Sequence, residues 1–224
     1  GEWTGTMNLT EPHAGSDVGA LKSRAEPQPD GTYRVFGQKI YITFGEHDMA
    51  ENIIHLVLAR TPGAPDGTKG ISLFIVPKFL VNDDGSLGER NDAKCIKLEE
   101  KLGIHASPTC VMQYGDDGGA VGYMIGPENG GMACMFTMMN NARLGVGIQG
   151  LGIAERAYQH ALAYAKDRVQ SAKIGGSSKD SVRIIEHPDV RRNLLLMKSQ
   201  VEAFRGLAYH ATGNIDIARR AEDL

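Results

Sequence analysis

Eight of the nine prolines lie at or before Pro127, and only Pro188 follows. Proline has no backbone N–H and breaks a helix interior, so long helices are confined to the part of the chain after it thins out. Before Pro127, strand-like runs alternate with turn clusters. Thr32-Tyr33-Arg34-Val35-Phe36 and Lys39-Ile40-Tyr41-Ile42-Thr43 flank Gly37-Gln38 and read as a hairpin. Ile53 to Arg60 and Gly70 to Val76 read as apolar strands separated by the breaker-rich loop Pro62 to Gly67. Cys95 to Leu98 and Thr109 to Tyr114 add two short strands. After Gly130-Gly131 the period changes to that of a helix from Met132 to Gln170, with Leu144, Ile148, Leu151, Ala154, Tyr158, Ala161 and Ala165 on one face. A polar linker, Gly175 to Asp180, leads to a second helix that starts near His187-Pro188 and runs through Leu194, Met197, Val201, Phe204 and Ala208. The expected fold is α+β: an antiparallel β-barrel or sandwich at residues 1–128, then two long antiparallel helices at 129–224.

The charge balance restricts partners. Lys and Arg number 24 against 27 Asp and Glu, for a formal net charge of −3 without a basic stripe. Nucleic-acid binding needs clustered cations, so it is not expected. No run approaches the ~18 apolar residues of a membrane span. Cys95, Cys110 and Cys134 are odd in number and lack metal-ligand spacing, which suits buried thiols in a reducing compartment, and a cytoplasmic location is expected. The chain starts at Gly1 and stops at Leu224 inside a helical pattern without a capping signal, which is the pattern of a piece of a longer protein.

Several motifs are set aside on context. Gly145-Val146-Gly147-Ile148-Gln149-Gly150 spells a dinucleotide fingerprint, but it lacks the preceding strand and follows a helical stretch, so the glycines are expected to let helices pack closely. The seven histidines have no ligand spacing, and no metal is expected. Ser16 is not in a G-x-S-x-G elbow and has no evident base, so a nucleophilic serine is not expected. Met132, Met135, Met138 and Met139 read as helical core or contact surface.

One loop remains: Met7-Asn8-Leu9-Thr10-Glu11-Pro12-His13-Ala14-Gly15-Ser16-Asp17, followed further on by Tyr41-Ile42-Thr43. It joins a Pro/Gly turn rich in hydroxyls and amides to a strand carrying a second threonine, and such groups can be aimed at phosphates and carbonyl oxygens. Together with Gly37-Gln38-Lys39-Ile40-Tyr41-Ile42-Thr43, Ile125 to Gly131, Ala142-Arg143-Leu144 and Tyr164 to Arg168, it resembles the acyl-CoA dehydrogenase family. The ending Arg168-Val169-Gln170 and the long run before Glu186-His187 resemble the large bacterial branch that includes 3-methylthiopropionyl-CoA dehydrogenases. The resemblance implies a middle β-domain followed by the start of a C-terminal four-helix bundle, here truncated.

The resemblance also implies a reaction: a hydride passes from the substrate β-carbon to FAD while a glutamate removes the α-proton, giving a trans-2-enoyl-CoA. Met7, Leu9 and Thr10 would line the isoalloxazine ring, Gly15 and Ser16 would meet the FAD pyrophosphate, and Thr43 would reach flavin N5. Tyr41 stands where most relatives have Trp, as aromatic cover. Ser16, Asn140 and Arg143 would approach the acyl-CoA, and Arg168 would reach the FAD of a neighbouring subunit in a homodimer or homotetramer. An electron-transfer flavoprotein would accept the electrons. Some members carry the catalytic glutamate just before the helix arginine, where this chain has Ala142; others carry it later, so the base is expected beyond Leu224 and this span alone is expected to be inactive. Two alternatives stay open: an acyl-CoA oxidase, and a non-dehydrogenase flavin- or DNA-binding relative of the same fold.

Overall fold

A computed structural model of the protein describes residues 1–221. Its strands are β1 (Trp3–Asn8), β2 (Arg24–Pro27), β3 (Tyr33–Thr43), β4 (Asn52–Ala59), β5 (Ser72–Pro77), β6 (Phe79–Val81), β7 (Leu87–Arg90), β8 (Ala93–Leu98), β9 (Thr109–Tyr114) and β10 (Ala120–Ile125). Helix α1 (Gly131–Asp167), strands β11 (Val169–Ala172) and β12 (Ser181–Arg183), and helix α2 (Pro188–Ala221) follow. The chain divides into two compact units, Gly1–Met138 and the residues from Met139 onward.

In the first unit one sheet runs β1-β4-β5-β10-β3-β9-β8, with β2 beside β3. The pairs are antiparallel except β1 with β4, which is parallel. The path is open, from β1 at one edge to β8 at the other, and does not close into a barrel. Val35, Ile42, Val57, Phe74, Val76, Met112 and Tyr114 form the core beneath it. Each such side chain contributes about 1.5–3 kcal/mol by leaving water, so the inward rows fix strand register.

The hairpin expected at Gly37-Gln38 is absent: β3 runs unbroken through both residues. Gly37 does sit at φ +140, outside the range of ordinary strand residues, but the need is close approach rather than a turn. A Cβ there would lie 2.3 Å from Ser23 Oγ. The strands expected around residues 53–60, 70–76, 95–98 and 109–114 all form, the last with its expected bounds.

Helix α1 begins where Gly131 passes against β5. The Gly131 N–H donates to the Ile71 carbonyl at 2.9 Å, and a Cβ on Gly131 would lie 2.5 Å from the Ser72 carbonyl carbon. The helix ends at Asp167, so Val169-Gln170 belongs to β11, paired with β12 around the polar linker, and not to the helix. Helix α2 starts with Pro188 in its first turn, where the missing N–H costs nothing, and the His187 carbonyl accepts from Arg191 N–H at 3.0 Å.

In the second unit the helices run antiparallel. Leu144 and Leu151 of α1 share a groove of about 460 Å³ with Phe204, Leu207 and Ala208 of α2, while Tyr158 and Leu162 share a recess with Leu194 and Leu195. Arg205 donates to Glu155 at 2.5 Å across the pair. The close helix packing expected at Gly145, Gly147 and Gly150 is not found among the described residues: a Cβ on any of the three would meet nothing within 4 Å.

Candidate functional site

The loop after β1 is built around one carboxylate. Glu11 and Ala14 exchange both backbone hydrogen bonds, at 2.8 and 3.1 Å, and so close a turn with Pro12 at its second position. The Glu11 side chain, buried to 3% exposure, accepts from Lys22 N–H (2.7 Å), Ser23 N–H (3.1 Å), Ser23 Oγ (2.6 Å) and Lys39 Nζ (2.7 Å). Both ends of the segment between residues 11 and 23 are thereby tied to the same group, and its tip, Gly15-Ser16-Asp17, is exposed. Burial by itself raises the Glu11 carboxyl, but the Lys39 charge and the hydrogen bonds from Lys22, Lys39 and Ser23 hold it below the usual range.

Arg60 closes the other side of the loop. Its guanidinium donates to the carbonyls of Leu21 (3.1 Å), Pro65 (2.8 Å), Gly19 (2.5 Å) and Gly67 (2.7 Å). The 3-10 turn Val18–Ala20, directly after Ser16-Asp17, is fixed by these bonds to the turn Gly67–Gly70. The planar fork of Arg suits several acceptors at once.

Strand β3 brings the second half. Its partner register with β9 runs Lys39↔Met112 and then Ile42↔Cys110, three steps on β3 against two on β9. One extra residue is therefore inserted in β3, a β-bulge. Strict alternation would put Tyr41 and Thr43 on the core face with Val35 and Lys39. With the insertion, Ile42 is buried instead, and Tyr41 (62% exposed) and Thr43 face outward. Tyr41 carries the strain, at φ +62 in the left-handed region, which costs a bulky residue about 1–2 kcal/mol.

Loop and bulge are joined directly. Ile40 N–H donates to the Thr10 carbonyl at 2.9 Å, and Lys39 Nζ donates to the Leu9 carbonyl at 3.2 Å. Thr10 and Gly15 are neighbours too: a Cβ on Gly15 would lie 3.4 Å from Thr10 Cγ2. Met7 alternates along β1 with the inward Thr6 and Asn8, so its side chain takes the opposite face. Among the described residues, the hydroxyls of Thr10, Ser16 and Thr43 make no hydrogen bond within the chain, which leaves them open to a ligand's oxygens and nitrogens. An aromatic ring, outward hydroxyls and a turn of exposed amides fit a flat polar ring with an attached diphosphate, so the donor set suits FAD.

The remaining expected residues lie in the second unit. Arg143 Nη1 donates to Asn140 Oδ1 at 3.1 Å, one turn apart on α1, and Arg143 also lines the groove between the helices. Arg168 follows the end of α1 and donates to Gln170 Oε1 at 3.0 Å. At about 1.5 Å per helical residue, Arg168 lies roughly 37 Å along the axis from Arg143, so the two serve different places.

Comparison with known proteins decides the family. The acyl-CoA dehydrogenase middle domain matches residues 6–116, and the acyl-CoA dehydrogenase C-terminal domain matches residues 129–222. The chain belongs to the acyl-CoA dehydrogenase family. It is 56% identical over 223 residues to the 3-methylmercaptopropionyl-CoA dehydrogenase of Ruegeria pomeroyi, matching all of this chain and 37% of that protein. It is 51% identical over 227 residues to a butyryl-CoA dehydrogenase of Syntrophomonas wolfei, covering 99% of this chain and again 37% of the relative. The structure of butyryl-CoA dehydrogenase from Megasphaera elsdenii matches with a TM-score of 0.69 at 32% identity, over 92% of this chain and 48% of that one. The chain thus spans little more than a third of the curated relatives' length.

The groups that hold this acyl-CoA dehydrogenase loop in place carry no local sequence signal. In sequence Glu11 reads as a turn residue and Lys39 and Arg60 as ordinary strand residues, because nothing in a strand's local pattern says that a lysine will be buried. The available signal was period: Val35, Gly37 and Lys39 fall on the core face, and a charged residue in that row calls for a buried partner.

Proposed function

We propose that the full-length protein is an FAD-dependent acyl-CoA dehydrogenase that converts a short acyl-CoA thioester to its trans-2-enoyl product. The observation that supports this reading is the bulge at Tyr41: it turns Tyr41 and Thr43 outward beside the clamped Leu9-Thr10 segment, so that open hydroxyls converge on one face. The names of the two relatives, one for 3-methylmercaptopropionyl-CoA and one for butyryl-CoA, suggest a small acyl group.

Bound FAD supplies the hydride acceptor. Thr10 and Thr43 would hold the polar edge of the ring, and hydroxyl donors already fixed in place would favour negative charge there without reorganising. Gly15 and Ser16 meet the diphosphate, and Ser16 also approaches the pantetheine arm. Met7, Leu9 and Tyr41 cover the ring and keep water from it. Arg143 binds the nucleotide phosphates of CoA with Asn140 holding it, and Arg168 reaches the flavin of a second subunit; Arg is suited to both anions. No residue of this span is assigned the α-proton: Ala142, in front of Arg143, has no group that can take one. The electron acceptor in this reading is an electron-transfer flavoprotein.

The test is turnover by the full-length protein of butyryl-CoA, 3-methylthiopropionyl-CoA and a long-chain thioester, followed by reduction of an electron-acceptor dye. Turnover of the short thioesters without oxygen uptake is the expected result. Rapid oxygen consumption would assign an oxidase instead, and no turnover of any thioester would refute the reading.

A further inference from the structure

A β-bulge with a tyrosine in the left-handed region does not hold itself, and the groups that hold it here are unusual for a core. Lys39, the residue before the bulge, is 0% exposed. Its ammonium reaches Glu11 Oε1 at 2.7 Å and the Leu9 carbonyl at 3.2 Å, while the next residue, Ile40, bonds the Thr10 carbonyl at 2.9 Å. Ser23 Oγ, on the same carboxylate oxygen, packs into the space left by the missing Cβ of Gly37.

A buried ion pair is an inefficient source of stability, because removing both charges from water offsets most of their attraction, and an apolar pair of similar size does as well. What the pair supplies is direction. Its hydrogen bonds end on defined atoms of Glu11 and Leu9, and they fix one segment against the other at the point where β3 gains its extra residue. An apolar pair would allow the bulge to slide along β3, and a slide of one residue would return Tyr41 and Thr43 to the core face.

We propose that Lys39 and Glu11 are positioning residues for the flavin: the pair locks the Tyr41–Thr43 bulge in register with Leu9-Thr10 and so sets where the ring-facing hydroxyls stand. This rests on the flavin reading above. Neither residue touches the cofactor; both act through the backbone they hold.

The experiment uses the full-length protein and measures three quantities on each variant: melting temperature, FAD dissociation constant, and the visible absorption spectrum of the bound flavin. The variants are Lys39→Met, Glu11→Gln, the apolar double variant Lys39→Met with Glu11→Leu, and Leu58→Ala as a control that damages the core elsewhere. Leu58→Ala is expected to lower the melting temperature and leave FAD affinity and spectrum at wild-type values. Glu11→Gln, which keeps size and shape, is expected to weaken FAD by about tenfold and to shift the flavin band. The double variant is expected to recover melting temperature relative to Lys39→Met without recovering FAD affinity. Wild-type affinity and spectrum in Glu11→Gln, or recovery of both stability and affinity in the double variant, would overturn the proposal. Wild-type protein that binds no FAD would instead overturn the flavin reading, and this inference with it.

Discussion

Tyr41 sits in a backbone conformation that costs an aromatic residue and suits glycine, yet glycine would offer no ring. The two requirements can be separated. Tyr41→Gly is expected to leave the unfolding midpoint unchanged or raise it, because relief of about 1 kcal/mol of strain balances the entropy glycine loses on folding. FAD affinity of the full-length variant should fall at the same time. A variant that loses stability and keeps affinity would mean the strain is not real or the ring is not used.

His55 gives a residue-scale prediction of a different kind. It is a buried residue of β4, with Nδ1 2.7 Å from Thr6 Oγ1 of β1, and burial pulls its pKa down to about 4. Nearby Lys78, Arg90 and His47 push the same way, and Glu46 opposes them. The unfolded chain takes this proton near pH 6.5 and the native one only near 4. Stability is therefore full above pH 6.5 and declines as pH falls toward 4, with a slope approaching 1.4 kcal/mol per unit and a total of about 3 kcal/mol. Denaturant unfolding across that range should show the decline in the wild type and a shallower one in His55→Asn.

At the scale of elements, β1 explains what a sequence pattern can conceal. Its inward residues are Thr6 and Asn8, so it has no apolar alternation to read, and no strand was expected there. The two are held by a chain of hydrogen bonds: Tyr114 OH donates to Asn8 Oδ1 at 2.8 Å, and Asn8 Nδ2 to Thr6 Oγ1 at 2.8 Å, beside His55. Those partners come from β4 and β9, far along the chain, and no local window contains them. Tyr114→Phe should cost about 1–3 kcal/mol by stranding the Asn8 carbonyl, as measured by chemical denaturation. Gly37 misled for a related reason. In sequence it marks a turn, whereas in space it admits Ser23, and Gly37→Ala should destabilise by about 2 kcal/mol or more through both its φ and the clash. By contrast β9, the α1 period and the Pro188 start were legible, because each rests on residues within a few positions of one another.

For the whole molecule, the order of a β-unit followed by two long helices could be read from proline usage and the change of period alone. The proposed site residues rest on resemblance alone: hydroxyls at Thr10, Ser16 and Thr43 have no spacing rule, and a one-residue bulge in β3 decides which face Thr43 takes. Among the described residues no helix is long and apolar enough to cross a membrane. The chain spans 37% of its curated relatives, so the chemistry belongs to the complete protein, and tests of function belong there too.

In the proposed function the outward-turned end of β3 carries the flavin contact. The most direct measurement is the FAD dissociation constant of the full-length protein, by flavin fluorescence, for the wild type and Thr43→Val. Valine keeps the shape and removes only the hydroxyl. Weakening by about tenfold, with an unchanged melting temperature, is the predicted result. Equal affinity in the two proteins would contradict the account.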